Sequence, residues 1–330
     1  MAEWLYEEGI GENRAILIEG DILAEAAIEL PGTLRTGAVV PARIAAIVIP
    51  GRRAIVALDA GGEALLEPIP DGLAEGARIK VEITRESLAE FGRLKRAKAR
   101  VAQADAQPGP SLHERLVAAG HKVTPVPQTG PDLFEQAGWS ELLEEAASGE
   151  IPFPGGALRM SLSPAMTLFD VDGTLAPAAL AVAGAEAAGR AIRRFAIGGS
   201  IGIDLPTLPA KDERQKAAAA LDAVLPQPFE RTAVNGFGFL QVVRRRERAS
   251  LPELIQADPV GAAARALLRS AQRSAGHGAR TLHAAPQVIA RIEKNAPWLD
   301  ALSRTLGAPV ALQAEPSLAI SAGHVHSQHP

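Results

Sequence analysis

Residues 155–204 read GGALRMSLSPAMTLFDVDGTLAPAALAVAGAEAAGRAIRRFAIGGSIGID. Two strand-like runs split by Pro164 lead into the apolar run AMTLFDV. An alanine-rich helix follows over APAALAVAGAEAAGRAIRRFA and stops at Gly198-Gly199; SIGID is a second buried-type strand. Further along, AKDERQKAAAALDAVL reads as a helix and FERTAVNGFGFLQVVRRR as strand-like. Strand, helix, strand, helix, strand over residues 155–245 is an α/β unit.

Two carboxylates stand out by position. Asp170 ends the apolar run MTLFD and Asp204 ends SIGID. A carboxylate at the end of a buried strand lies where α/β sheets bind ligands, and a helical crossover favours neighbouring strands. Paired there, the two are hard oxygen ligands for Mg2+, which activates water and neutralises charge on a phosphate. The structural alternative is that each caps the following helix. A third reading rests on LFDVDGTL, which matches the DxDGT motif of haloacid-dehalogenase-type phosphatases. It makes Asp170 a nucleophile and Asp172 an acid/base. Against it, no GDxxxD or DD occurs downstream.

Upstream, RAILIEGDILAEAAIEL (14–30) reads as two strands joined by the turn Glu19-Gly20-Asp21. GAVVPARIAAIVIP, RRAIVALDA, EALLEPIP and ARIKVEIT are further β-runs punctuated by Gly and Pro. Short strands at this spacing predict a small closed barrel of the oligonucleotide-binding type. The next segment holds Arg93, Lys95, Arg96, Lys98 and Arg100 with no acid among them. It is either a solvated face or a phosphate-binding run. VAQADAQPGPSL (101–112) reads as a linker, 113–120 and 131–148 as helices with Asp132 as N-cap. After Pro252 two or three helices and the short strand APVALQA are expected. HVHSQHP is expected to be a disordered terminus whose histidines bind metal weakly at most.

The chain of 330 residues predicts two or three domains, and its hydrophobic and charged fractions, 47% and 22%, are those of a globular protein. It has no cysteine, which excludes disulfides, thiolate metal sites and a cysteine nucleophile, and fits a reducing, cytoplasmic setting. No apolar run is long enough for a transmembrane helix. The acidic opening MAEWLYEEGIGENR is not expected to be a signal peptide. A net charge of −4 argues against indiscriminate nucleic-acid wrapping but leaves local basic patches open.

Taken together, GGALRMSLSPAMTLFDVDG, GGSIGID and ERTAVNGFGFLQVVRRRERASL resemble in order and spacing the catalytic domain of the ribonuclease E/G family. The matching places are Asp170-Val171-Asp172, Gly198-Gly199, Asp204, Phe237-Gly238-Phe239 and Arg244, Arg245 and Arg246. PDLFEQAGWSELLEEAASGEIPFPGG is similar to the family's lead-in, and TLGAPVALQAEPSL to its small C-terminal domain. The resemblance implies a magnesium-dependent endoribonuclease for single-stranded RNA, in which metal-activated water attacks the phosphodiester in line and leaves a 5′-phosphate. Asp170 and Asp204 carry over as metal ligands, and the family asparagine falls on Asp172. The implied architecture is α/β (α+β multidomain). A ribonuclease-H-like remnant (1–34 and 91–150, the latter opening with the basic linker) holds an RNA-binding barrel (35–90). A deoxyribonuclease-I-like catalytic domain (151–250) and a small C-terminal domain with a disordered tail (251–330) follow.

Several family features are missing. Only about 30 residues separate the basic run from the lead-in, too few for a domain sensing an RNA 5′-monophosphate. Residues 249–259 contain neither cysteine nor histidine, so no zinc link is expected, and a homodimer must rest on apolar contact. Family carboxylates appear as Ser161, Pro164 and Thr207, and the barrel's stacking aromatics as Ile55, Leu65 and Leu66. These losses fit a trimmed nuclease and also a non-catalytic RNA-binding relative.

Overall fold

Both aspartate-bearing runs are strands of one mixed sheet. The computed structural model describes residues 2–90 and 93–329; the side chains of Glu90, Arg93, His277, Gln328 and His329 lie outside the description. The chain divides into two compact units. One joins Gly32–Arg115 to Gly149–Glu253; the other joins Met1–Pro31, Leu116–Ser148 and Leu254–Pro330. The C-terminal segment thus groups with the two segments that flank the barrel in sequence.

In the first unit a closed barrel is built from Val39–Ile49, Arg53–Leu58, Glu63–Leu66, Arg78–Arg85 and Ala97–Val101. The first three form an antiparallel meander. The fifth runs parallel to the third and antiparallel to the fourth, which pairs with the first and closes the ring. Ile44, Val56, Leu66, Val81 and Ile83 fill the interior. The closing strand lies beyond the expected limit of residue 90, inside the segment read as a basic linker. Its period is two: Ala97 and Ala99 point into the core while Lys98 and Arg100 face outward, so a charge run on one face doubles as a barrel strand.

The sheet in the same unit has the order Glu150–Phe153, Gly156–Leu162, Thr167–Gly173, Gly199–Asp204, Phe239–Arg244, Glu230–Arg231. Its central pair, Thr167–Gly173 and Gly199–Asp204, is parallel and joined by the crossover helix Pro177–Arg194; the flanking pairs are antiparallel. One face buries Leu158, Phe169, Val171, Ile201, Ile203, Leu240 and Val242, and the crossover helix contributes Leu180, Ala181, Ala185, Ala188 and Ile192 to the core. The other face carries the exposed residues Asp170, Asp172 and Asp204. The first aspartate strand does not stop at Asp170. Pairing with Gly156–Leu162 carries it on to Gly173, so Asp170 sits within a strand on an open face.

The second unit contains two sheets. In one, Val123–Pro125 runs parallel to Ala2–Glu8, which is followed by Asn13–Glu19 and Ile22–Glu29 in antiparallel order. The expected 131–148 helix is two, Leu133–Gln136 and Trp139–Ser148, broken at Gly138 with φ 89°. Asp132 caps the first, accepting from the Glu135 N–H at 3.0 Å. The last 80 residues hold more structure than expected: helices Leu251–Ala257, Pro259–Gln272, Pro286–Glu293 and Ala296–Leu306, and strands His277–Ala284, Val310–Ala314 and His324–His329. The tail read as disordered is the strand His324–His329. It pairs antiparallel with His277–Ala284 as an edge strand, and the hydrogen bonds on that side override its polar composition.

The helix Pro259–Gln272 supplies a pH prediction. Asp258 caps it, accepting from the Gly261 N–H at 3.0 Å, and receives the Arg291 guanidinium at 2.6 Å. Partial burial pushes its carboxyl up, but Arg291 and the Gly261 N–H outweigh this and hold it below its ordinary value. A depressed folded-state value stabilises above the unfolded carboxylate's ~3.9, and that contribution is lost as pH falls through the folded value. Asp258→Asn keeps a good cap but removes the titration. Thermal melts of the variant should depend less on pH below about pH 4 than those of the parent; equal acid slopes would contradict the assignment.

Candidate active site

The open face of the sheet is organised as a row across the strands. Arg159 is the register partner of Glu150 on one side and Asp170 on the other; Asp170 pairs with Asp204, and Asp204 with Phe239. Adjacent strands lie about 4.7–4.9 Å apart, so residues in register on one face are side by side. The two aspartates thus form a pair of exposed carboxylates on neighbouring strands. Neither caps a helix: the N-caps of Pro177–Arg194 and Lys211–Val224 are Ala176 and Ala210.

Asp172 lies two residues beyond Asp170 on the same face, and its carboxylate meets the Arg159 guanidinium at 3.1 Å. Arg159 also approaches Glu150 at 3.5 Å. Asp170 and Asp172 therefore belong to one regular strand, and the second is engaged by a cation. The other family positions add no acid. Ser161 is opposite Leu168, Pro164 lies in the turn closed by Ser163 and Met166, and Thr207 donates to the Phe237 carbonyl at 3.5 Å.

At the other end of the row a tight loop presents an aromatic that the motif contains but that sequence reasoning did not pick as a site residue. Asn235 Oδ1 accepts from the Phe237 and Phe239 N–H groups at 2.9 and 3.0 Å. Gly238 has φ 93°, and a Cβ there would lie 2.2 Å from the Leu205 carbonyl oxygen. Leu205, next to Asp204, donates its N–H to the Gly238 carbonyl at 3.2 Å. The loop thereby fixes Phe237, 83% exposed, close in the backbone to Asp204. Phe239 is held differently: a Cβ on Gly202 would come within 2.7 Å of its ring, so the ring rests on that glycine. The signal for Phe237 was the Asn-Gly-Phe-Gly turn chemistry, which forces a bulky apolar side chain outward.

The basic residues divide by role. On the barrel, Arg96 pairs with Glu63 at 2.6 Å, Lys98 with Glu67 at 3.2 Å and Arg100 with Glu82 at 2.8 Å. Lys95 ends the short strand Arg93–Lys95; the Arg93 side chain is outside the described residues. In the second segment Arg244 donates to the carbonyls of Ile192 and Ile197 near the end of the crossover helix. Arg246 pairs with Glu253, whose carboxylate also accepts from the Ser250 N–H and hydroxyl at 2.8 Å, and so steadies the start of Leu251–Ala257. Arg245 is 77% exposed and meets only Glu247, at 2.9 Å, among the ion pairs of the described residues. Of the barrel positions expected to face bases, Leu66 points into the core, while Ile55 and Leu65 are half-buried register partners.

Fold and site together define a mixed α/β protein with a closed five-stranded barrel and an open-faced sheet bearing a carboxylate pair. Among the described residues no helix is long and apolar enough to cross a membrane. In comparison with known proteins, no family model matches the chain and no curated protein matches it.

Proposed function

We propose that this protein is a magnesium-dependent endoribonuclease of the ribonuclease E/G type, acting on single-stranded RNA in RNA processing or decay in the cytoplasm. The observation that carries the reading is the in-register Asp170–Asp204 pair beside the exposed Phe237. The barrel adds support: a three-strand meander, a fifth strand parallel to the third and a fourth closing on the first suit the Greek-key oligonucleotide-binding barrel.

The donor set fits magnesium, which binds through one or two carboxylates and keeps its remaining positions for water and phosphate oxygens. Asp170 and Asp204 would hold it, and Asp172 is left to Arg159. When bound, magnesium supplies a nucleophilic water and neutralises charge building on the phosphodiester. The chain's own residues orient the RNA. Phe237 offers a stacking surface for a base beside the scissile phosphate, and Arg159 offers a cation at the other side of the pair. Arg96, Lys98 and Arg100 are exposed enough to exchange their glutamates for phosphates, because surface pairs are worth only about 0–1 kcal/mol. Arg245 is the best candidate of its segment.

The primary test incubates the full chain with labelled single-stranded RNA, with magnesium or with chelator. Cleavage with magnesium only is expected; binding without cleavage would favour the non-catalytic relative, a reading that the paired state of Asp172 also suits. Phe237→Ala should weaken single-stranded RNA binding by ~1–3 kcal/mol, roughly 5- to 150-fold in Kd, without altering thermal stability. An unchanged Kd would remove the stacking role. Neutralising Lys95, Arg96 and Lys98 together should flatten the salt dependence of binding by about 0.7 in log–log slope per lost phosphate contact. If affinity and slope are both unmoved, that face is merely solvated.

A further inference from the structure

We propose that His283, Glu315 and His324 form a binding site for a zinc-class transition-metal ion, independent of the ribonuclease reading. The three residues come from three neighbouring segments of one sheet. His283 lies on the central strand His277–Ala284, and His324 is its direct register partner on His324–His329. Glu315 follows the strand Val310–Ala314 on the other side, where its N–H donates to the Ala284 carbonyl at 2.8 Å. Their candidate ligand atoms lie within 4.8 Å of one another. The imidazoles of His283 and His324 are stacked at 4.8 Å between centroids with planes 6° apart, and His283 Nδ1 is 2.5 Å from Glu315 Oε1.

The chemistry of the set selects the ion. Two borderline imidazoles joined by one hard carboxylate suit zinc or cobalt; magnesium and calcium prefer all-oxygen shells, and there is no thiolate for softer ions. Bonds of about 2.0–2.1 Å in tetrahedral array put ligand atoms about 3.3 Å apart. The close His283–Glu315 contact needs to open by under about 1 Å, and the third donor is already within reach. His283 and His324 sit on hydrogen-bonded strands and the Glu315 N–H is bonded to the Ala284 carbonyl, so the backbone does not need to rearrange. Three protein ligands leave a fourth position for water, the arrangement of an open zinc site. An ion there would also tie both edge strands to the central one and hold the polar C-terminal strand in place.

The test uses the full chain with Co2+ and Zn2+ as probes. One equivalent of Co2+ should bind with the visible absorption of a low-coordinate cobalt centre, and Zn2+ should displace it and raise the melting temperature. His324→Ala should weaken Co2+ binding by more than the ~10–100-fold that loss of even an outer-shell partner costs. Glu315→Gln should weaken it as well, and His121→Ala should not. Metal-free melts check that the variants fold; should His324→Ala fail, Glu315→Gln takes its place. Absence of saturable one-to-one Co2+ uptake by the parent chain, or an equal loss in His121→Ala, would overturn the site. RNA cleavage by the parent is measured separately and bears only on the ribonuclease reading.

Discussion

Asp204→Asn should lower RNA cleavage by at least ~10³-fold while leaving RNA affinity within about 2-fold. The size follows from the several kcal/mol of charge stabilisation a catalytic cation provides, about 4 kcal/mol being three decades of rate. The selectivity follows from position. Asp204 is exposed at the end of its strand and caps no helix, so the amide is accommodated without refolding. In the proposed reading, affinity for RNA would come from cations and stacking, not from this carboxylate. Single-turnover cleavage alongside filter binding measures both quantities. The same variant separates the phosphatase alternative, which depends on Asp170 and Asp172 and should hydrolyse a small phosphomonoester. Phosphomonoester turnover that survives Asp204→Asn, without RNA cleavage by the parent, would replace the ribonuclease reading.

Glu7→Ala should destabilise the second unit by ~3–5 kcal/mol, the cost of stranding buried charges. Glu7 and Arg14 are each 1% exposed and lie 3.4 Å apart. Arg273 reaches Glu7 at 2.5 Å and Asp132 at 3.3 Å; Arg265 reaches Glu12 at 2.7 Å. Arg269 bridges Glu7 at 3.9 Å and also holds Asp132. Burial lowers the affinity of the Arg14 guanidinium for its proton, and Glu12 and Glu7 oppose that effect. The network unites three chain segments that are far apart in sequence, so it staples a discontinuous unit. Lys122→Ala, which removes an exposed pair with Glu3, is the comparison and should cost no more than ~1 kcal/mol. Urea melts of the two variants decide; a Glu7→Ala loss as small as that of Lys122→Ala would mean that the cluster is not structural.

The α/β character of residues 155–245, the crossover helix and the adjacency of Asp170 and Asp204 were legible because apolar runs, glycine stops and a single helical connection are local features with few topological solutions. The β-rich character of residues 37–84 was legible for the same reason. Other features depended on partners distant in the chain. The barrel closes on Ala97–Val101 because the Arg78–Arg85 and Glu63–Leu66 strands offer free edges, which turns a charge run into a strand. Asp172 and Arg159 meet only because two antiparallel strands share a register. Arg244 and Arg246 became structural when the crossover helix and the Ser250–Glu253 cap supplied acceptors. The C-terminal histidines looked like a polar tail because pairing energy is invisible in composition; the central strand His277–Ala284 made them an ordered edge. Local propensity and pattern thus determined the elements of residues 155–245, while long-range strand pairing made strands of Ala97–Val101 and His324–His329 and decided which side chains share a face.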